Sequence, residues 1–259
     1  MKSELMSDSN NKQPTINNQQ ASNWFESWFD TEYYHILYKE RNDEEAQLLM
    51  DNLTHYLNLP EEAKILDLAC GKGRHAIYLN SLDYDVTGAD LSENSIAEAS
   101  KFANDKLHFK VHDMREPFEE KYDAIFNLFT SFGYFDDDAD NYKTIKAIHN
   151  SLTETGFAVI DFMNVDYVLE NLVANEIKTV DGIDFHIKRY LKDGHIYKEI
   201  DFEDKGEKFH FTEKVQALRL EDFEKMMEEA GIYLLDIFGD YKLRKFFKTQ
   251  SERLIMIFK

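Results

Sequence analysis

Only one cysteine, Cys70, occurs in 259 residues, which excludes an internal disulfide framework and fits a reducing compartment. No apolar run approaches the length of a membrane span, and the N-terminus lacks the charged-then-apolar layout of a secretory signal. A cytoplasmic protein with no membrane partner is therefore expected. No group of His, Cys, Asp and Glu has metal-ligand spacing, so no metal is expected, and no unit repeats along the chain. Basic residues are scarce as well. Thirty of them against fifty acidic ones leave a formal charge of −20, which repels a phosphate backbone at long range and makes bulk nucleic acid an unexpected partner. The one dense basic group, Lys242, Arg244, Lys245 and Lys248, reads as solvated surface.

What is present suffices for one large domain, or a domain carrying an insertion: 43% of the residues are hydrophobic and 14% aromatic. The chain is organised around K-I-L-D-L-A-C-G-K-G-R-H-A, from Lys64 to Ala76. Ile65, Leu66 and Leu68 form the apolar run of a buried parallel strand, Gly71 and Gly73 allow a tight turn, and His75, Ala76, Ile77 and Leu79 open a helix. Asp67 lies at the carboxyl end of that strand, the edge at which open α/β sheets bind ligands. Cys70 inside the turn reads as a small residue packed beneath the loop rather than as a reactive thiol. The glycines alone also fit the G-x-G-x-x-A variant of the dinucleotide fingerprint, so the flanking acids decide. Asp90 follows a second strand, Tyr84 to Gly88, and Asp113 follows a third, Leu107 to Val111. A single such Asp is explained by a helix cap, and Asp90 before Leu91-Ser92-Glu93 suits one. Three acids at one sheet edge are not explained that way.

From Lys64 to Asp161 the sequence resembles the class I methyltransferases that use S-adenosylmethionine and release S-adenosylhomocysteine. The resemblance implies a Rossmann-like, doubly wound α/β fold with a mostly parallel seven-stranded sheet. It assigns Asp67, Gly71 and Gly73 to the methionine part of the cofactor, Asp90 to the ribose, Asp113 and Met114 to the adenine, and Ala69, Cys70, Leu91 and Asn127 to the same cofactor site. In the family the segment after the fourth strand, here Tyr122 to Leu128, lines the reacting methyl and the acceptor, which makes Thr130, Phe132, Tyr134 and Phe135 substrate candidates. The S-F-G-Y run there is similar to small-molecule methyltransferases, among them those acting on amino sugars. The Asn- or Asp-Pro-Pro-Tyr motif of enzymes that methylate exocyclic amines of bases or of glutamine is missing, and Asn127-Leu128-Phe129-Thr130 stands in its place. A small-molecule acceptor is expected.

Four segments follow from the patterning. Residues 1–22, rich in Asn, Gln and Ser, cannot offset their ordering entropy by burial and are expected to be a flexible tail. Residues 23–176 hold N-terminal helices and the cofactor core. Trp24, Phe25, Trp28 and Phe29 stand at helical spacing in two short helices that either pack on the sheet or form a lid with Tyr33, Tyr34 or Tyr38 over the cofactor; an amphipathic helix, Glu44 to Leu57, follows. Later come helices from Ser92 to Ala103 and from Tyr142 to Leu152, then Gly156 in a turn before the strand Phe157 to Asp161. Residues 177–218 alternate in short runs separated by Asp181-Gly182, Asp193-Gly194 and Lys205-Gly206, the pattern of an inserted antiparallel β-sheet that covers the acceptor or forms a homodimer contact. Residues 219–259 return to the core with a helix, Glu221 to Ala230, and a closing hairpin of Tyr233 to Phe238 with Arg253 to Phe258.

Methyl transfer from a sulfonium is an in-line displacement in which the protein aligns the nucleophile and excludes water. A base is needed only where the acceptor arrives protonated, and Tyr33, Tyr34, Tyr38, His35, His112 and His149 are the candidates. His112, beside Asp113 on a period-two strand, reads equally as a structural histidine. Arg115 either grips an acidic acceptor or pairs with Glu116 or Glu119. The rival readings are a nicotinamide-dependent oxidoreductase, which leaves Asp67, Asp113 and the closing strand without a role, and a non-catalytic S-adenosylmethionine-binding protein.

Overall fold

The computed structural model describes residues 24–39 and 43–259; the expected N-terminal tail and the Trp24 side chain lie outside the described part. Three helices come first, α1 (Trp24–Phe29), α2 (Glu32–Leu37) and α3 (Asp43–Tyr56). Then follow β1 (Lys64–Leu68), α4 (Arg74–Ser81), β2 (Asp85–Asp90), α5 (Glu93–Ala99), β3 (Leu107–Val111), β4 (Tyr122–Asn127), α6 (Asp138–Asn150) and β5 (Leu152–Met163). Helix α7 (Val165–Glu170) leads to β6 (Asn175–Val180), β7 (Ile183–Lys192), β8 (His195–Asp204) and β9 (Glu207–Gln216), and α8 (Leu220–Ala230), β10 (Leu234–Phe238) and β11 (Arg253–Phe258) close the chain. Among the described residues no helix is long and apolar enough to cross a membrane.

The main sheet has seven strands in the order β10-β11-β5-β4-β1-β2-β3. Strands β1 to β5 pair in parallel, and β11 runs antiparallel between β5 and β10. Because the chain winds outward from β1 through β2 to β3, and from β4 through β5 the other way, the topology switches between β1 and β4, where a crevice opens at the carboxyl ends. Period-two alternation sends Ile65 into an apolar cluster with Leu49, Leu53 and Phe126, and sends Leu66 and Leu68 into one with Phe162, Phe223 and Met256. Both faces are therefore covered, which is why the strand reads as a nearly continuous apolar run.

Three local features depart from the sequence reading. Helix α6 starts at Asp138, a turn before the expected Tyr142, with the Asp137 side chain accepting from the Ala139 amide. The acidic run thus lies at the positive end of the helix dipole, where negative charge is favoured. Strand β5 begins at Leu152, and Gly156 lies inside it at a register shift rather than in a turn. A Cβ at Gly156 would stand 2.8 Å from the Tyr122 carbonyl oxygen, so the glycine serves a close backbone approach. Helix α7 had no expected counterpart.

The inserted strands form a separate antiparallel sheet in the order β6-β7-β8-β9. At each of its three tight turns both central residues have positive φ: 51° and 81° at Asp181-Gly182, 48° and 73° at Asp193-Gly194, 52° and 81° at Lys205-Gly206. These are the primed turns whose twist matches that of paired strands. One face of this sheet is apolar, with Phe185, Ile187, Ile200 and Phe202, and it is Trp28 of α1 and Leu37 of α2 that cover it. Trp28 of the aromatic stripe thus packs on the inserted sheet, not on the main one.

Candidate active site

A cavity of about 610 Å³ lies over the carboxyl ends of β1, β2 and β4, within the range of small-molecule sites. Its floor is the loop after β1. Ala69, Gly71 and Gly73 have φ of 63°, 54° and 81°, a run of left-handed residues that reverses the chain within a few positions. A Cβ on Gly71 would meet nothing within 4 Å, so this side of the backbone is open, whereas one on Gly73 would come 2.6 Å from the Phe109 ring. Gly71 therefore borders the cavity and Gly73 lets the helix start pack on β3.

Asp90 ties this loop to the next one. The Gly71 amide donates to its Oδ2 at 2.8 Å and the Ser92 amide to its Oδ1 at 2.9 Å. Burial raises its pKa against the pull of those amides. Asp67, 2% exposed, turns away from the cavity and accepts from the Ala76 amide at 3.0 Å, at the N-terminal end of α4. Burial, opposed by that amide, pushes its carboxyl up to about 7. Behind the loop, Asn127 Nδ2 donates to the Leu68 carbonyl at 3.0 Å, while its buried Oδ1 has no partner.

Helices α1 and α2 roof the cavity through Phe25, Phe29, Tyr34, His35 and Tyr38. They are strapped down on two sides. On the cofactor-loop side, Ser92 Oγ and Asn94 Nδ2 donate to the Asp30 carboxylate at 2.6 and 3.1 Å. On the inserted-sheet side, Trp28 Nε1 and the Tyr38 hydroxyl donate to Glu213 Oε1 at 2.8 and 2.6 Å. The rings of Phe25 and Phe29 lie 6.0 and 5.7 Å from that of Tyr134, closing the space between roof and main sheet.

A family model for a methyltransferase domain matches residues 65–156, the stretch that builds this floor. That match, with the fold, supports a class I S-adenosylmethionine-dependent methyltransferase. An S-adenosylmethionine-dependent methyltransferase of Clostridium acetobutylicum superimposes with a TM-score of 0.74 at 23% identity, covering 88% of this chain and 95% of that one. S-adenosylmethionine-bound CalS10 of Micromonospora echinaspora, an amino pentose methyltransferase, gives 0.66 at 18% identity, over 88% and 96%. In sequence, a glycine/sarcosine N-methyltransferase of Halorhodospira halochloris is 25% identical over 188 residues, 69% of either chain. The glycine turn shared with nicotinamide enzymes thus lies inside the methyltransferase match, in a sheet closed by the antiparallel β11.

Of the residues singled out from sequence, the methyltransferase brings fourteen to the cavity wall: Tyr34, His35, Tyr38, Ala69, Cys70, Gly71, Asp90, Leu91, His112, Asp113, Met114, Thr130, Tyr134 and Phe135. Asp67, Gly73 and Asn127 stand behind it and shape the loop. Three others need correcting. Tyr33 points into the inserted sheet, its hydroxyl donating to Asp204 at 3.0 Å and its ring packed on Phe202 and Phe209. Phe132 is 1% exposed and packs on Phe223, so it is core rather than a substrate contact. Arg115 pairs with Asp113 at 2.5 Å and Asp140 at 2.8 Å, neither of the expected partners, and its guanidinium lies over Phe135. The same guanidinium holds the Asp113 carboxyl below its usual range. His149 is exposed on α6 and does not line the cavity. Lys248 pairs with Glu221 and Arg244 with Asp240, in keeping with solvated surface.

The sequence reading missed Glu213 and Val215 of the inserted sheet, Met163 at the end of β5, and Asp30 between the two roof helices. Only Glu213 left a signal, a charge at an inward position of an apolar strand face. Since Phe132 is core, Phe132→Leu is expected to cost about 1 kcal/mol of stability and to leave ligand affinity within about twofold, read by denaturation and calorimetry; a large loss of affinity at unchanged stability would return Phe132 to the site.

Proposed function

We propose that this cavity binds S-adenosylmethionine and that the enzyme transfers a methyl group to the nitrogen or oxygen of a small molecule. The observation that carries the reading is the Asp90 carboxylate, fixed by the Gly71 and Ser92 amides at the end of β2 and lining the cavity, where a ribose diol would donate to it. The remaining wall fits the same ligand: the open backbone of Gly71 for the methionine part, and Leu91, Met114 and Asp113 for the ribose edge and the adenine. Bound there, S-adenosylmethionine supplies a methyl group already activated on a sulfonium.

The chain's own residues then have three tasks. The roof excludes water, and the aromatic rings of Tyr34, Tyr38 and Tyr134 enclose and orient the nucleophile. As the bond from nucleophile to methyl carbon forms, the carbon–sulfur pair stays on sulfur, and the nucleophile must shed a proton. His35 takes it. Three histidines line the cavity; His112 Nε2 is 2.7 Å from the Glu116 carbonyl oxygen and His75 stacks on Phe129, while His35 has a buried Nε2 without a partner. Burial, and then the charge of Lys72, lower its pKa against the opposing Asp30, so the ring is neutral and able to accept at neutral pH. The related enzymes named for glycine, sarcosine and an amino pentose support a small-molecule acceptor.

The test is incubation with methyl-labelled S-adenosylmethionine and a panel of small amines, phenols and acids. Label in a small product is expected. Binding of S-adenosylhomocysteine without transfer to any member would favour a non-catalytic binding protein, and efficient, salt-insensitive methylation of bulk tRNA or DNA would overturn the small-molecule reading.

A further inference from the structure

The inward face of the inserted sheet should be apolar throughout, because it packs on α1 and α2. On β8 the residues of that face are Ile196, Lys198, Ile200 and Phe202, and on β9 they are Phe209, Phe211, Glu213 and Val215. On these two strands two charges interrupt it, and the strand register pairs them directly: Lys198 opposes Glu213, and on its other side it opposes Arg189 of β7, which is bound to Glu176 at 2.7 Å. The side chains of Lys198 and Glu213 are only 14% and 17% exposed. Packing does not call for a buried pair there, since charged groups brought out of water stabilise a fold little. A local rule broken at the wall of the main cavity points to function.

The geometry around Glu213 is specific. Trp28 Nε1 and the Tyr38 hydroxyl both donate to Oε1, which holds the carboxylate in one orientation. Lys198 Nζ stands 3.9 Å from Oε2, beyond hydrogen-bond reach. Glu213 lines the cavity and Lys198 does not. The rings of Phe25, Phe29, Tyr34 and Tyr134 line it too, and such faces attract cations. Outside the lining, one ammonium is already held in this way, for Lys198 Nζ lies 4.4 Å over the Tyr38 ring and donates to its hydroxyl. The formal charge of −20 draws cationic small molecules toward the protein and repels anionic ones.

We propose that Glu213 is the acceptor-recognition residue, and that the acceptor is a small primary or secondary amine whose nitrogen is held by Glu213 Oε2 within the ring cage. The proposal rests on the methyl-transfer reading and narrows it to nitrogen. Glu213 acts as a specificity residue, contributed by the inserted sheet. Because the carboxylate also straps the roof through Trp28 and Tyr38, acceptor recognition and closure of the cavity share one side chain.

The experiment uses the full chain saturated with S-adenosylhomocysteine and a panel of small amines, each matched with the alcohol of the same carbon skeleton, with binding read by saturation-transfer NMR. Amines are expected to bind in preference to their alcohols. In Glu213→Gln, which keeps an oxygen for Trp28 and Tyr38, amine affinity should fall about tenfold or more while affinity for S-adenosylhomocysteine stays within about twofold. Lys198→Met, which removes the competing cation, should raise amine affinity and gives a test of opposite sign if Glu213→Gln folds poorly. Absence of binding by every amine, equal binding of the alcohols, or amine affinity unchanged in both variants would overturn the proposal. Failure of S-adenosylhomocysteine to bind the unmodified chain would instead sink the methyl-transfer reading beneath it.

Discussion

Arg253→Met is expected to lower stability by about 3 kcal/mol. Asp161, at the end of β5, is completely buried, and Arg253 at the start of β11 donates to its Oδ1 at 2.8 Å. The other oxygen, Oδ2, accepts from the Phe129 amide at 2.8 Å. Removing the guanidinium leaves a carboxylate in the core with one amide and no counter-charge, the case in which a broken pair costs most. The loss should reach the cavity as well. Phe129 and Thr130 both have positive φ, 58° and 62°, and what holds them there is this pair, with the Thr130 amide on the Asp161 carbonyl at 2.9 Å and the Thr130 hydroxyl accepting from Arg253 at 3.0 Å. Denaturant unfolding and calorimetry with S-adenosylhomocysteine should therefore both report a loss. A midpoint equal to that of the parent would mean that the pair does not hold the loop.

His35→Gln is expected to reduce turnover about 100-fold with little change in cofactor affinity. The pH profile carries the sharper distinction. The lowered pKa keeps His35 neutral through the neutral range, so in the parent the rate should be flat there and fall only where acid protonates the ring, below the ordinary imidazole range. Burial does most to set this limb, Lys72 pushes it further down, and Asp30 opposes both. A structural role for His35 would lower stability and rate together and leave the limb in place. Turnover in His35→Gln with the parent's rate, or a slower rate with the same acid limb, would remove His35 as the proton acceptor.

The main sheet was largely legible because its strands are buried on both faces and therefore spell short apolar runs, each ending in a polar residue where the crevice opens. Asp90 and Asp113 could be found that way. The inserted sheet was legible for another reason: its Asp-Gly and Lys-Gly pairs demand positive φ at two successive residues. What escaped depends on contacts across long stretches of chain. Trp28 meets Glu213 over a separation of 185 residues, and Arg253 meets Asp161 over 92. No local pattern reports either pairing. Phe132 misled because an aromatic residue after the fourth strand has the same sequence signature whether its ring turns to the cavity or to Phe223. The start of α6 and the position of Gly156 were misjudged where caps and bulges, rather than periodicity, set the boundary.

The central claim is that Asp90 holds the ribose of an S-adenosyl ligand. Titration calorimetry of the unmodified chain and of Asp90→Ala with S-adenosylhomocysteine, and with NAD as the control ligand, tests it most directly. The unmodified chain is expected to bind S-adenosylhomocysteine and not NAD, and Asp90→Ala to weaken binding roughly 10- to 100-fold through the lost hydrogen bonds to a charged acceptor. Equal affinity in the variant, or tighter binding of NAD than of S-adenosylhomocysteine, would contradict it.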